Sequence, residues 1–199
     1  MESKLPIEVV GQDVSDEFRE NVDSVLENLP EKVAAKLSEK KHEIKLAHNA
    51  TEAYPEIVGD KMRGWPDDAT WDDVEGFFVP ELKTTNVFEY IRDGEGGWRK
   101  NYRDSSFTIA HELGHALDDA LDDISSKKKF RDAYYKDIKT LSEKDIIVSG
   151  YFTQEGEAGR QETFAELFST MFSGGYDVSG MQRRFPGATK ALKEIIKDI

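Results

Sequence analysis

The chain of 199 residues contains no cysteine. Disulfides, thiolate metal sites and a cysteine nucleophile are therefore excluded. No apolar run approaches the ~20 residues that a membrane-spanning helix needs. Positive charge is scarce: 27 Lys and Arg stand against 40 Asp and Glu, giving a formal net charge of −13 and a sequence pI near 4.8. Phosphate backbones and anionic lipid both call for a positive face, so neither nucleic acid nor a membrane surface is an expected partner. The opening residues, MESKLPIEVV, show no basic segment followed by an apolar stretch, so no signal peptide is expected here. A mature secreted form would read the same way.

Histidine is also scarce, with four in the chain. Two of them, His111 and His115, fall within FTIAHELGHALDDALDD (107–123), with Glu112 directly after the first. The rest of the pattern places this stretch. LPIEVVG (5–11) reads as a short strand. A helix follows, with Ser15 as N-cap and Phe18, Val22, Val25, Leu26 and Leu29 at helical spacing. Pro30 suits the first turn of a second helix, with Val33 and Leu37 on one face. HEIKLAH (42–48) alternates like a strand. Residues 51–85, broken by Gly and Pro, read as irregular, and NVFEYI as the edge strand of a small mixed sheet, ended by a Gly turn. The second part is helical: from Ser105 or Ser106 to Asp122, from Lys127 to Lys139, then GRQETFAELFSTMFSGG closed by Gly174 and Gly175, and an amphipathic C-terminal helix. One domain, 1–199, is expected, with an α/β lobe over 1–104 and a helical lobe over 105–199.

On a helix, positions i and i+4 share a face about one turn apart, so His111 and His115 can aim both imidazoles at one point. Zinc takes ligands at ~2.0–2.1 Å in a tetrahedron, and such a pair supplies two of them. Glu112, beside the ligand face, is placed to take a proton from the attacking water. A catalytic zinc needs a third protein ligand and an open position. No third His follows closely downstream. QETFAELF offers Glu162 and Glu166, again at i and i+4, among apolar neighbours that make bare carboxylates costly. One of the two can bind zinc, and the other can accept the free N–H of a ligand His.

HELGHALDD followed about fifty residues later by QETFAELF resembles the peptidase domain of anthrax-toxin lethal factor and its smaller relatives, the bacterial Pro-Pro endopeptidases. GWPDDATWDDVEG (64–76) and the tail MQRRFPGATKALKEIIKDI are similar to segments of the same family, so the resemblance covers nearly the whole chain in order. It implies an α+β, zincin-like, two-lobed metallopeptidase domain with one Zn²⁺ per chain. It implies His111, His115 and Glu162 as zinc ligands, Glu112 as general base and Glu166 as the acid behind the ligand shell. It also implies a tyrosine that donates a hydrogen bond to the developing oxyanion. Tyr151 is the candidate, although it lies eleven residues before Glu162 where the family has about seven. Tyr134, Tyr135 and Tyr176 are the alternatives. Trp65 matches a family tryptophan that packs against substrate prolines, and Trp71 reads as a loop anchor. The segment FFVPELKTT departs from the family's Gly-rich loop.

The expected function is thus a zinc-dependent, proline-directed endopeptidase acting on a protein or peptide. The expected setting is a monomeric, secreted bacterial protein whose signal peptide is absent from this sequence. Two rivals stand beside it. One is a lethal-factor-like toxin protease acting on a specific host protein. The other is a non-catalytic metal-stabilised binding module, against which Glu112 argues, because a structural site has no use for a base.

Overall fold

The computed structural model describes residues 5–58, 60, 69–101, 105–174 and 180–199. β1 (Ile7–Val9) leads into α1 (Asp16–Asn28). Ser15 caps α1 by accepting the Phe18 N–H, and Asp16 and Glu17 place negative charge at the positive end of the helix dipole. Phe18, Val22 and Val25 form the buried stripe. The helix stops at Leu29, which is extended because the next residue is Pro30, and α2 (Glu31–Glu39) starts directly afterwards. β2 (Glu43–Ala47) buries Ile44 and Leu46. Parallel strands need a long crossover, and α1 with α2 provides it between β1 and β2.

Next come a one-turn helix α3 (Ala50–Ala53), β3 (Gly76–Val79), β4 (Thr84–Phe88) and a separate hairpin of β5 (Tyr90–Arg92) and β6 (Trp98–Lys100). The main sheet runs β1-β2-β4-β3, with β2 and β4 parallel and β3 and β4 antiparallel. This corrects the expected edge. NVFEYI is split: residues 86–88 belong to the central strand β4, all five of whose residues are buried, and residues 90 and 91 belong to β5. The edges are β1 and β3, the latter inside the stretch expected to be irregular.

The helical part holds α4 (Ser105–Ala120), α5 (Lys128–Ile138), α6 (Glu143–Val148), α7 (Ala158–Phe172), α8 (Met181–Arg184) and α9 (Pro186–Asp198). α4 packs against β3 and β4 on one side and α7 on the other, which is why it is apolar nearly all round. Its expected end at Asp122 moves back to Ala120. Asp122 and Asp123 are both left-handed, with φ of 57° and 56°. Buried Asp118 fixes that turn by accepting the Ser125 N–H at 2.6 Å and its hydroxyl at 2.7 Å. Asp137 at the end of α5 caps α9 in the same way, accepting the N–H groups of Gly187 and Ala188. α7 closes with Gly174 at φ 70°. α6 occupies what reads in the sequence as loop. A continuous core joins the sheet, α1 and α2 to α4, α5, α7 and α9. A small second cluster of Ala47, Ala50 and Phe88 is roofed by Trp71, Val74 and Phe77, as expected of Trp71 as an anchor. Among the described residues, no helix is long and apolar enough to cross a membrane.

Candidate metal centre and active site

The site forms where α4 crosses α7. His111 and His115, one turn apart on α4, have ring centroids 4.9 Å apart. Glu162, in the second turn of α7, brings Oε2 to 3.3 Å from His111 Nε2 and 3.5 Å from His115 Nε2. Gly114 permits this approach. A Cβ there would lie 2.7 Å from the Ala165 Cα, so only glycine lets α7 come close enough.

Several observations fit a metal. Glu162 Oε2 is buried and has no hydrogen-bond partner, although two imidazole nitrogens face it. Glu166 lies behind, its Oε2 3.2 Å from His111 Nδ1. A carboxylate accepts only, so Nδ1 carries a proton toward Glu166, and Nε2, facing Glu162, must hold either a second proton or a metal ion. Lone pairs converging on one point are repulsive unless a cation lies among them. Tetrahedral ligands at ~2.0–2.1 Å stand ~3.3 Å apart, close to the two N···O distances seen here. Among the described residues, His111, His115 and Glu162 are the one group spaced to share an ion, with their ligand atoms all within 4.8 Å of one another.

The imidazoles and carboxylates of the site are strongly coupled. Burial alone would lower His111, but the carboxylates of Glu162 and Glu166 outweigh it and hold the imidazole up at about 10. Burial likewise favours the neutral form of Glu162, yet the two imidazoles keep it well below the usual carboxylate range. Glu112 is raised, chiefly by burial, while His111, His115 and the backbone of Phe78 on β3 favour its charged form. A carboxylate held partly desolvated beside a metal site suits the proton-transfer role of a general base.

His111, Glu112, His115 and Glu162 line a cavity of about 720 Å³, with Trp71, Phe77, Phe78 and Pro80 among its apolar lining. Gly76 brings β3 against α4: a Cβ there would lie 2.9 Å from Thr108 Cγ2 and 3.4 Å from Glu112 Cγ. Tyr151, on a 3-10 turn over Gly150–Thr153, also lines the cavity. Desolvation of its hydroxyl in the cavity, then the charge of Glu162, push that hydroxyl well above the ordinary phenol range, although the side chain as a whole is largely exposed. The alternatives are engaged elsewhere. Tyr134 is buried and donates to the Phe152 carbonyl, and the Tyr135 hydroxyl accepts from Arg160. Tyr176 and Trp65 lie outside the described residues. Sequence reasoning missed the Phe77–Phe78 lining and the Gly76 contact, because GFFV is too short to show alternation and sits between breakers.

Residues 4–191 match the family model described as anthrax toxin lethal factor, N- and C-terminal domain. The chain belongs to this family. The crossing of α4 and α7, with its His-His-Glu set, is thus carried by a lethal factor family domain. A solved structure of the Pro-Pro endopeptidase from Paenibacillus alvei superposes with a TM-score of 0.67 at 24% sequence identity. That alignment covers 95% of this chain and 96% of the other. The likeness is one of fold, and it bears out the α+β architecture of this lethal factor family member. A comparison with curated proteins finds no match.

Proposed function

We propose that the protein is a zinc-dependent endopeptidase that binds one Zn²⁺ through His111 Nε2, His115 Nε2 and Glu162 Oε2. The observation that carries this reading is the convergence of those three atoms on one point beside Glu112, with Glu162 Oε2 buried and unpartnered. When bound, zinc supplies a Lewis acid that polarises a peptide carbonyl and acidifies water. Glu112 takes the proton of the attacking water and passes it to the leaving amine. Tyr151 donates its hydroxyl to the oxygen on which negative charge develops. Glu166 holds His111 in the tautomer whose Nε2 is free to ligate. β3 offers an edge to which a substrate chain could add as an antiparallel strand, alongside Glu112.

Proline next to the scissile bond is the finer part of the proposal. Aromatic faces bury proline rings without asking for hydrogen bonds, and Trp71, Phe77 and Phe78 line the cavity. The resemblance adds Trp65. The structural neighbour is a Pro-Pro endopeptidase.

The test is metal analysis combined with digestion of a peptide library. Glu112→Ala should keep stoichiometric zinc and lose cleavage. His111→Ala, His115→Ala and Glu162→Ala should each lose most of the metal. Cleavage by Glu112→Ala at the wild-type rate would refute the mechanism. A digest with no enrichment of proline within two positions of the cut would remove the proline preference and leave the peptidase standing.

A further inference from the structure

Eight large hydrophobic side chains are exposed among the described residues, and four of them fall between positions 146 and 151. Ile146 is 45% exposed, Ile147 80%, Val148 53% and Tyr151 60%, whereas Val58, Leu82, Trp98 and Tyr135 are scattered through the sequence. Single exposed apolar residues are ordinary; a cluster of this kind marks an interaction site. α6 contributes nothing to the core, since none of its residues is buried.

The patch is held in place. Ser142 caps α6 by accepting the Asp145 N–H. The Asp145 carboxylate lies 2.9 Å from Arg183 Nη2 and 3.4 Å from Arg184 Nε on α8. Arg184 Nη1 also donates to the hydroxyl of buried Ser149, which closes the helix. The polar half of α6 is thus fastened to α8, and its C-terminal half presents three aliphatic side chains to water. The patch is continuous in the chain with the candidate site, because the next turn carries Tyr151 into the catalytic cavity.

We propose that Ile146, Ile147 and Val148, running on to Tyr151, form a docking surface for apolar residues of the polypeptide substrate that flank the cleaved bond. The inference rests on the peptidase reading. Its occupant follows from chemistry and place. The cavity lining carries Asp118, Asp119 and Asp123 besides Glu112 and Glu162, whereas positions 146–151 carry no charge. A chain leaving the cavity past Tyr151 therefore exchanges an acidic environment for an aliphatic one, and gains by presenting Leu, Ile, Val or Phe there.

The experiment has a cleavage arm and a binding arm. A peptide cleaved by the zinc-loaded wild type is compared with versions extended by apolar residues on each side. The extension should lower KM about 10-fold with kcat unchanged. In Ile147→Ser/Val148→Ser, KM for the extended peptide should return to that of the short one, while the short peptide is cleaved as before. Both substituted positions are exposed, so the fold is retained. In the binding arm, a random synthetic peptide library is selected on zinc-loaded Glu112→Ala with and without the two serine substitutions. Apolar enrichment should vanish when the patch is substituted. Unchanged KM with unchanged enrichment overturns the docking surface and leaves the peptidase intact. Patch-dependent enrichment with no cleavage of any peptide keeps the surface and overturns the peptidase. A wild type that self-associates in sedimentation, and a variant that does not, would assign the patch to a second copy and refute the proposal.

Discussion

Gly114→Ala tests whether the closeness of α4 and α7 sets metal affinity. A Cβ at position 114 would lie 2.7 Å from the Ala165 Cα, and 3.1 Å from both the Ala165 carbonyl oxygen and the Phe168 Cβ. Ordinary contact begins near 3.4 Å, so the nearest pair falls short by 3.4 − 2.7 = 0.7 Å. Two of the three opposing atoms are backbone, so no rotamer change relieves the clash and the helices must part. Replacing glycine in a helix gains ~1 kcal/mol in propensity, while overpacking costs ~1–3 kcal/mol. The net loss is about 1 kcal/mol, or roughly 2–4 °C in Tm for a chain of this length. Function should suffer more than stability. The separation needed exceeds the ~0.2 Å tolerance of ligand distances in a metal site, and Glu162 would move away from both imidazoles. Zinc affinity, measured by chelator competition, should fall ~10-fold or more, an effect as large as losing an outer-shell partner. Melting curves with and without zinc give the two effects separately. A variant that melts at or above the wild-type temperature and holds zinc equally well would refute the reasoning.

Glu166→Gln should lower zinc affinity ~10–100-fold while leaving the metal-free fold intact, because it weakens the acceptor that fixes the His111 tautomer; equal affinity in chelator titration would refute the role. Tyr151→Phe should reduce kcat ~10²–10³-fold with little change in KM, since its hydrogen bond strengthens as charge develops; unchanged kcat would assign the oxyanion to another group. His42, buried beside Thr85, is held down to about 4 mainly by burial. Its folded value lies below its unfolded ~6.5, so its contribution is whole above pH 6.5 and is lost as pH falls toward 4, amounting to about 3 kcal/mol. Denaturant curves at pH 7 and 4.5 should show a smaller acid loss in His42→Gln than in wild type; equal losses would contradict this.

The sequence was most informative where periodicity and chemistry coincide. His111, Glu112 and His115 on one helix, and Glu162 with Glu166 on another, declare themselves because carboxylates and imidazoles interrupt apolar surfaces at one-turn spacing. Ser15 announces α1 for the equally local reason of its side-chain cap. What failed to show depends on tertiary partners. β4 reads as partly polar, since its first three residues are Thr84, Thr85 and Asn86, yet it is the most enclosed strand. Asn86 accepts from the Tyr54 hydroxyl at 2.6 Å and donates to the Phe77 carbonyl, and Thr85 pairs with His42. Such residues are stable inside only because distant segments satisfy them. α6 left no periodic trace because it buries nothing. The end of α4 depends on Asp118 accepting from Ser125, a contact no propensity encodes.

Both edges of the main sheet are short, three residues in β1 and four in β3. In the pairing of β3 with β4, Gly76 and Phe78 direct their main-chain groups away from β4, and the Phe78 N–H there already faces Glu112. Each hydrogen bond made there is worth ~0.5–1.5 kcal/mol net, so a docked strand would be aligned by this edge more than held by it. The same brevity makes the edge a poor template for another copy. Open sheets risk uncontrolled strand-to-strand growth, and very short edges limit it. With a net charge of −13 adding repulsion between molecules, the fold can leave a strand edge beside its candidate site without inviting fibrous assembly.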